Sequence, residues 1–412
     1  MKPLREAQRE VLAAVPALPV VTVPLLNATG LALAEPVAAL HNVPPFANSA
    51  MDGYAVRSED VKEVPAALTI VEDLPAGYVA TATVQPGTAV KIMTGAPIPD
   101  GADAVVQVEY AEPAGRTVSI RVSVPAGTNL RAVGGDVREG ARVFEAGVRL
   151  GAAHLGVLAS LGVADPLVRR RPRVAILSTG DEVMPPDVGA LQPGQIRDSN
   201  RMVLNSLLLE LGAQVVDLGI VRDDADLLRS TLEAAAADAD AIITSGGVSM
   251  GEYDLVKTVL GDLGQINFWQ VAMQPGKPFA FGLLNETPLF GLPGNPVSVM
   301  VSFEQLARPA LLHMMGATRI FRPRIQGRMA GSVSTNPEKV VFLRVNAALD
   351  EAGDWVAGLS GGQLSNMLSS MAYGNAFAVI PTGTGAVETD DEVELEMFTW
   401  PETRTKEEAL DD

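Results

Sequence analysis

Residues 172–318 alternate between short apolar runs and segments with helical spacing, and this alternation is the strongest constraint on the fold. The pattern predicts strands at 174–177, 214–220, 241–243 and 279–283. It predicts helices at about 199–211, 225–237 and 297–315. Strands that alternate with helices are typical of a doubly wound, mostly parallel sheet. In such sheets ligands bind beyond the carboxyl ends of the strands.

The segment from residue 241 to 254, AIITSGGVSMGEYD, passes from an apolar run into small residues and then acidic ones. Gly246, Gly247 and Gly251 permit tight turns and the close approach of another molecule. Helical spacing resumes at residues 253–261, which places Asp254 near a helix N-terminus where backbone amides face outward. The segment therefore predicts an anion-binding loop.

The same loop matches the G-x-S-x-G pattern of serine hydrolases, with Ser249 as the candidate nucleophile. A hydrolase of this kind also needs a histidine base later in the chain. His313 is the histidine that follows, and it lies in an apolar stretch with helical spacing. A five-residue pattern without a credible base is weak support for a hydrolase, so Ser249 is better explained as part of a pocket wall.

Charge and composition exclude several classes of function. The chain carries 31 Lys and Arg against 49 Asp and Glu, a formal net charge of -18, which argues against binding to nucleic acid or an acidic membrane surface. It has no cysteine, so disulfides, zinc–thiolate sites and a cysteine nucleophile are excluded. Neither a dinucleotide-binding glycine motif nor a P-loop is present. With no signal-peptide pattern and no apolar run of about 18 residues, we expect a cytoplasmic protein.

A chain of 412 residues is expected to form several domains. Alternating apolar residues, as in 117–124 and 339–345, predict β structure on both sides of the doubly wound region. The fold class is therefore multidomain α/β plus β. The expected domains are a packing domain of helical and extended segments at 1–45 plus 148–171, a small β domain at 46–147, the doubly wound domain at 172–318 and a β-barrel-like domain at 319–412.

Six short motifs occur in order along nearly the whole chain. They are SAMDGYA at 49–55, TGAP at 94–97, STGDE at 178–182, SGGVS at 245–249, PGKP at 275–278 and GLPGNP at 291–296. Together they resemble the MoeA family of molybdopterin molybdenumtransferases, which is related to the C-terminal domain of gephyrin. Taken alone, Asp52-Gly53 is typical of a hairpin turn, but the resemblance makes Asp52 a functional candidate.

The resemblance implies insertion of molybdate into adenylated molybdopterin, with Mg2+ assisting and AMP released, as the last step of molybdenum cofactor synthesis. It also implies an elongated homodimer with active sites near the subunit interface. Small-molecule substrates are expected, and other molybdenum cofactor synthesis proteins are candidates for transient contact. No nucleic acid and no membrane is expected as a partner.

The family pattern also implies roles for individual residues. The acidic active-site residues would be Asp52, Asp136, Glu182 and Asp254. The metal ligands would be Asp52, Glu182 and Asp254. The residues that bind ligand or shape its pocket would be Thr94, Thr179, Ser245, Gly246, Gly247, Ser249, Lys277, Pro293 and Pro296. Family members usually carry a lysine where this chain has Gln274, which removes one expected positive contact.

This residue set has a charge problem, because molybdate and a phosphoanhydride are anions and the implied site gathers four carboxylates. Two like charges about 4 Å apart repel by about 4 kcal/mol at an effective dielectric constant of about 20. Mg2+ would relieve this repulsion, since it binds one or two carboxylates together with phosphate oxygens. Glycine amides and helix N-termini would supply further positive ends. Asp52 and Asp136 come from a different domain, so the site is expected to be composite and could combine two subunits.

Two alternatives remain open from the sequence. Residues 172–315 alone resemble the single-domain enzymes that adenylate molybdopterin, so a related adenylyltransferase is one. The segment around Asp52 and the β domain that follows it would be extra in such an enzyme. The other alternative is a scaffold or cofactor carrier that keeps a gephyrin-like fold without turnover.

Overall fold

A computed structural model describes residues 1–247, 255–400 and 410. The N-terminal part comprises α1 (Leu4–Ala14), β1 (Val20–Thr22), β2 (Val37–Ala38), β3 (Asn48–Ser49), β4 (Gly53–Val56), β5 (Ala66–Leu74), β6 (Thr88–Ile92), β7 (Ala104–Gln107), β8 (Ala111–Ala114), β9 (Thr117–Ile120), β10 (Leu130–Arg131), β11 (Arg142–Phe144), α2 (Ala152–Ser160) and β12 (Leu167–Arg169).

The central part continues from residue 173. It comprises β13 (Arg173–Thr179), β14 (Val183–Met184), β15 (Ile196–Arg197), α3 (Asn200–Leu211), β16 (Gln214–Val221), α4 (Ala225–Asp238), β17 (Ala241–Ser245), α5 (Leu255–Leu263), β18 (Gln265–Gln270), β19 (Met273–Gln274), β20 (Pro278–Leu284), β21 (Thr287–Leu292), α6 (Pro296–Ser302) and α7 (Arg308–Met314). The π-helical segment Phe303–Ala307 joins α6 to α7.

The C-terminal part is mostly β structure. It comprises β22 (Arg324–Met329), β23 (Val333–Ser334), β24 (Val340–Leu349), β25 (Trp355–Leu359), α8 (Ser369–Ala372), β26 (Ala376–Ile380), β27 (Ala386–Val387) and β28 (Glu392–Met397). No helix in the described ranges is both long and apolar enough to cross a lipid bilayer.

The central sheet confirms the predicted doubly wound, mostly parallel arrangement. Its strand order is β16-β13-β17-β21-β20-β18, in which the first four strands are parallel. Alternate residues of β13 face opposite sides: Val174 and Ile176 belong to the core that contains α3 and α6, whereas Ala175 and Leu177 pack with α4 and α5. Every residue of β17 and β21 is buried, as expected for strands covered on both faces.

The edge of this sheet differs from the sequence expectation. The predicted strand at 279–283 is part of β20, but it runs antiparallel to β21, a strand that the sequence did not predict. The two strands are joined by Asn285 and Glu286, whose φ angles of +48° and +71° are those of a tight type I′ hairpin turn. An apolar run alone does not reveal strand direction, and Pro288 and Gly291 weaken the strand signal of β21.

The small β region forms a curled six-stranded sheet in the order β7-β4-β6-β5-β9-β8. Gly53 is the first residue of β4 in this sheet and does not lie in a hairpin turn. A Cβ atom on Gly53 would lie 2.0 Å from the carbonyl oxygen of Val106 in β7. Glycine is therefore required at this position because the two strands approach too closely for a side chain.

The C-terminal strands β24-β25-β22-β28-β26 close into a barrel through the pairing of β24 with β26, which confirms the predicted barrel-like fold. The barrel also receives a strand from the central part, because Met273 and Gln274 of β19 pair with Val340 and Val341 of β24. This pairing fixes the start of β24 next to the loop that leads into β20.

Buried charges hold the barrel against the π-helical segment. The side chain of Glu304 is 3% exposed and accepts two hydrogen bonds of 2.9 Å from the guanidinium of Arg322. Arg308 lies 3.6 Å from the same carboxylate, and burial lowers the pKa of Arg308 to about 10. In the barrel, Glu396 binds both Arg324 and Gln305.

Replacing Glu304 with alanine should destabilise this junction strongly, because it leaves two partly buried guanidinium groups without a counter-ion. We expect a loss of about 3–5 kcal/mol in the free energy of unfolding, measured by urea unfolding with tryptophan fluorescence. Glu394→Ala is the matched control, since Glu394 is exposed and pairs with Arg324; it should cost less than about 1 kcal/mol. Equal losses in the two variants would contradict the role of burial.

Candidate functional site

A cavity of about 1250 Å³ lies beyond the carboxyl ends of β13, β17 and β21. This is the edge at which a doubly wound sheet binds ligands. The cavity brings together eight of the residues singled out from the sequence: Thr179, Glu182, Ser245, Gly246, Gly247, Lys277, Pro293 and Pro296. Ser249 and Asp254 lie outside the described residues.

Asn200, the first residue of α3, ties two of these loops together. Its side-chain amide nitrogen donates to Ser245 Oγ at 2.8 Å and to the carbonyl oxygen of Gly294 at 2.7 Å. Because Ser245 Oγ accepts this hydrogen bond, its hydroxyl hydrogen is available for a ligand. Asn200 Oδ1 is buried and has no hydrogen-bond partner among the described residues. Sequence reasoning missed Asn200, which gives no local signal apart from its place at a helix start.

Asp198 also lines the cavity, but its charge is already compensated. It accepts hydrogen bonds from Ser178 Oγ at 3.0 Å, from the Arg201 backbone nitrogen at 3.1 Å and from Arg201 Nε at 2.9 Å. Its side chain is 1% exposed. Asp198 therefore fixes the end of β13 against α3 and is not free to bind a cation.

Glycine is required at position 246 by both the backbone conformation and the space available. Its φ angle is +95°, and a Cβ atom would lie 3.0 Å from both the carbonyl oxygen and Oγ1 of Thr179. Its backbone nitrogen donates to the carbonyl oxygen of Leu292 at 3.1 Å. The ends of β13, β17 and β21 are thus drawn together at one point, and a ligand in the cavity can approach the backbone closely.

The barrel supplies a wall of the cavity that the sequence did not predict, through Lys339, Gln363, Leu364 and Ser365. Ser365 is held against the start of α6, because its Oγ accepts from Asn295 at 3.0 Å and its carbonyl oxygen accepts from the Val297 backbone at 3.1 Å. These contacts connect segments about 70 residues apart in the chain, so no local pattern could have revealed them.

Arg344 supports this wall from inside the barrel. It is buried, and its guanidinium donates to the carbonyl oxygens of Gly362 and Leu364 at 3.1 and 3.2 Å. Burial lowers the pKa of Arg344 to about 10, so it stays charged at neutral pH. The side-chain oxygen of Gln363 accepts from the Arg344 backbone at 2.9 Å. The 361–365 loop is therefore held at several points.

Asp52, Thr94 and Asp136 do not line this cavity within one chain. Asp52 and Thr94 lie together in the N-terminal part. The antiparallel pairing of β3 with β10 carries the chain from β10 to Asp136 back along the segment that precedes β3, away from Asp52. The backbone nitrogen of Asp136 donates to the carbonyl oxygen of Val43 at 3.0 Å. The described sequence candidates thus lie in three places: the cavity at the central sheet, the Asp52–Thr94 pair beside the curled sheet, and Asp136 beside Val43.

Thr94 binds Asp52 directly. Asp52 Oδ1 accepts from the Thr94 backbone nitrogen at 2.7 Å and from Thr94 Oγ1 at 2.8 Å. The backbone hydrogen bond, followed by the hydroxyl, lowers the pKa of Asp52, because both stabilise the ionised form. Asp52 is therefore a fixed, exposed carboxylate at neutral pH.

The described part of the cavity lining offers carboxylates for a metal ion, among them Glu182 and Asp223, but no preformed cluster. Among residues 1–247 and 255–400, no group of three or more His, Asp or Glu side chains is placed to hold a metal ion. Glu182 is an exposed carboxylate on the cavity lining, and no described residue forms an ion pair with it. One carboxylate fits Mg2+, which often takes its remaining ligands from substrate phosphates and water.

Three family models match successive parts of the chain. They are the MoeA N-terminal region (domain I and II) at residues 2–162, a probable molybdopterin binding domain at 175–313 and the MoeA C-terminal region (domain IV) at 326–398.

Relatives and solved structures agree with these matches. Molybdopterin molybdenumtransferase 2 of Mycobacterium tuberculosis is 41% identical over 92% of this chain and 96% of its own length. The molybdopterin molybdenumtransferase of Haemophilus influenzae is 39% identical over 89% of this chain and 90% of its own length. The crystal structure of a molybdopterin biosynthesis MoeA protein from Pyrococcus horikoshii OT3 is similar with a TM-score of 0.82, at 28% identity, and covers 97% of this chain and 100% of that one.

The hydrogen bonds from Thr94 predict how Asp52 titrates. Thr94→Val should raise the pKa of Asp52 towards its ordinary value but not fully, because the larger contribution from the backbone nitrogen remains. Since the folded pKa is lowered, these hydrogen bonds stabilise the fold above the unfolded pKa and lose their effect as pH falls through the folded pKa. Carbon-13 NMR of labelled aspartate carboxyls measures the shift. Thr94→Ser should leave the pKa low; an unchanged pKa in the valine variant would contradict the assignment.

Proposed function

Because the chain belongs to the MoeA family of molybdopterin molybdenumtransferases, we propose that it inserts molybdate into adenylated molybdopterin and releases AMP. The single observation that carries this proposal is the match to transferases so named along 92% of the chain. That match includes the N-terminal and C-terminal parts that a single-domain adenylating enzyme would lack. The adenylyltransferase and scaffold alternatives have no comparable support.

The cavity beyond the parallel strands is the proposed substrate site. Gly246 and Gly247 let a pterin or nucleotide phosphate approach the backbone, and the Ser245 hydroxyl and Thr179 can donate or accept hydrogen bonds. Lys277 supplies positive charge before β20. Pro293 and Pro296 bound the loop at the start of α6 and restrict its conformations. Ser249 is proposed to shape the same pocket.

Glu182 is the residue of this cavity best suited to hold Mg2+, together with Asp254 and Asp52 as the family pattern implies. Bound Mg2+ would neutralise phosphate charge and make a phosphorus atom of the phosphoanhydride easier to attack, so that the bridging oxygen leaves with the departing group. The Lys277 ammonium and the loop amides would then stabilise the charge that remains on the departing AMP. Asp52 and Asp136 are proposed to orient molybdate or water, since both are exposed carboxylates.

We propose that the active protein is an elongated homodimer in which Asp52, Thr94 and Asp136 complete the cavity of the partner subunit. Exposed apolar side chains support an interface beside Asp52 and beside the cavity. Phe46, Met51 and Met93 are 45%, 39% and 45% exposed beside Asp52. Leu364 is 65% exposed on the barrel side of the cavity. Clusters of exposed apolar residues are typical of protein interfaces.

The division into four domains with the boundaries given above is also a proposal. Antiparallel pairing of β1 with β12 and the isolated bridge between Ala32 and Arg149 support a discontinuous packing domain built from residues 1–45 and 148–171. A cytoplasmic location and transient contact with other molybdenum cofactor synthesis proteins remain predictions.

The function is tested by release of AMP from adenylated molybdopterin in the presence of Mg2+ and molybdate. Asp52→Ala and Glu182→Ala homodimers should each be inactive. If the site is shared between subunits, mixing the two variants under exchange conditions should restore about a quarter of the wild-type sites, because half of the dimers carry one intact pair. No recovery despite confirmed subunit exchange would contradict the shared site, and full activity of Asp52→Ala would contradict its role.

The metal proposal makes a separate prediction. Chelation of Mg2+ should abolish AMP release, and Glu182→Gln should raise the Mg2+ concentration for half-maximal activity by about tenfold or more, because a ligand is lost. Asp187→Asn is the matched control, since Asp187 is an exposed carboxylate nearby that does not line the cavity. An unchanged Mg2+ requirement in Glu182→Gln would show that another residue holds the metal.

A further inference from the structure

The neighbours of Asn200 determine which way its side-chain amide faces. The amide nitrogen lies 2.7 Å from the carbonyl oxygen of Gly294 and 2.8 Å from Ser245 Oγ. If the amide were turned over, Oδ1 would face the Gly294 carbonyl oxygen, and two acceptors at that distance repel each other. The nitrogen therefore takes this position, and each of its two hydrogens is used by one of the two partners.

This orientation in turn determines how the Ser245 hydroxyl can bond. A hydroxyl has one hydrogen to donate and two lone pairs with which it accepts. One lone pair of Ser245 Oγ accepts from Asn200, and no described residue accepts the hydroxyl hydrogen. Ser245 is 3% exposed and lines the cavity. The hydrogen therefore needs an acceptor, and the cavity is the space from which one can reach it.

The start of α3 holds Asn200 in place without help from a ligand. Asp198 accepts from the backbone nitrogen and Nε of Arg201 at 3.1 and 2.9 Å, which fixes the chain on both sides of Asn200. Leu204 and Leu208 bury the next turns of the helix in the main core. The Asn200 amide is therefore already in position before a substrate binds.

We propose that Asn200 is a positioning residue that orients the Ser245 hydroxyl, so that the end of β17 selects a substrate group that accepts a hydrogen bond. A substrate donor could reach the second lone pair of Ser245 Oγ, but it would leave the buried hydroxyl hydrogen unpaired, which is unfavourable. An adenylated pterin carries several acceptor atoms. This inference rests on the proposed function and deepens it, because it assigns a hydrogen-bond polarity to one point of the substrate site.

The variant Asn200→Asp tests this polarity, because it replaces a donor with an acceptor of nearly the same shape. The Ser245 hydroxyl would then donate to the new carboxylate and would no longer direct its hydrogen to the substrate. We expect binding of adenylated molybdopterin at about pH 8, measured by calorimetry without molybdate, to weaken by about tenfold. A loss that also appears with AMP alone assigns the acceptor to the nucleotide, and a loss confined to the complete substrate assigns it to the pterin.

The loss should become smaller as the pH falls, which damage to the fold would not produce. A protonated carboxyl has one O–H that can donate again, and burial beside the Gly294 carbonyl raises the pKa of the introduced carboxyl. The ratio of wild-type to variant affinity should therefore fall between about pH 8 and about pH 5. Taking this ratio at each pH cancels the titration of the charged residues on the cavity lining, which are Glu182, Arg197, Asp198, Asp223, Lys277 and Lys339. A constant or rising ratio would contradict the inference.

A double-mutant cycle tests whether Asn200 acts through the hydroxyl. Ser245→Ala removes the hydroxyl and should itself weaken binding of adenylated molybdopterin. Asn200→Asp added to Ser245→Ala should cause little further loss, because the group that Asn200 orients is no longer there. A further loss as large as that of Asn200→Asp alone would mean that Asn200 acts on the loop at Gly294, and the inference would be wrong.

Two other variants complete the test. Asn285→Asp adds the same charge at an exposed turn, at the end of β20 and β21 that lies away from the cavity, and it should leave the affinity unchanged. If thermal unfolding shows that Asn200→Asp perturbs the fold, Asn200→Ala replaces it in the cycle with Ser245→Ala, and the same absence of a further loss is expected.

The outcomes separate this inference from the proposed function. If the wild type binds the substrate and releases AMP, but the Asn200 variants bind as tightly as it does, Asn200 does not orient the hydroxyl and the proposed function still stands. If Asn285→Asp weakens binding as much as Asn200→Asp, the added charge is the cause and the inference is wrong. If the wild type neither binds the substrate nor releases AMP, the proposed function fails and the inference fails with it.

Discussion

Burial of the central parallel strands on both faces is the constraint on which the site depends. Every residue of β17 and β21 is buried, as is every residue of β13 after Arg173. Polar groups are costly to bury along such strands and concentrate near their ends. Thr179 and Ser245 end β13 and β17, and Pro293 follows β21, so the loops that need glycine and hydroxyl groups meet at one edge. The position of the cavity therefore follows from the parallel order of these strands, whose carboxyl ends lie at the same edge of the sheet.

The C-terminal barrel forms one wall of the cavity that lies at the end of the central sheet. Pairing of β19 with β24 sets Lys339 and the 361–365 loop against the open side of the cavity, and the buried Glu304 ion pairs hold the barrel close to the π-helical segment. The central region supplies loops that can approach a phosphate, while the barrel adds charge and a closing wall. Asp52 and Thr94 do not line this cavity within one chain.

Local patterns predicted the parts of the fold that depend on local interactions. The sequence predicted five elements correctly, because the apolar periodicity that reveals them depends only on neighbouring residues. They are β13, β16, β17, α3 and α4. The sequence did not predict β21 or the direction of β20, which depend on a hairpin that lies partly in residues with weak strand propensity. Asp52-Gly53 resembled a turn because the close approach of Val106 that requires glycine is a long-range contact. Lys339, Gln363 and Ser365 were missed for the same reason.

The central claim is that the edge of the parallel sheet binds the molybdenum-containing substrate. Anomalous X-ray scattering at the molybdenum absorption edge, from crystals soaked in molybdate and AMP, tests this most directly, because it locates molybdenum without prior assumptions. We expect a molybdenum peak inside the cavity bounded by Thr179, Ser245 and Lys277. Ordered molybdenum found only outside that cavity, with AMP bound elsewhere, would contradict it.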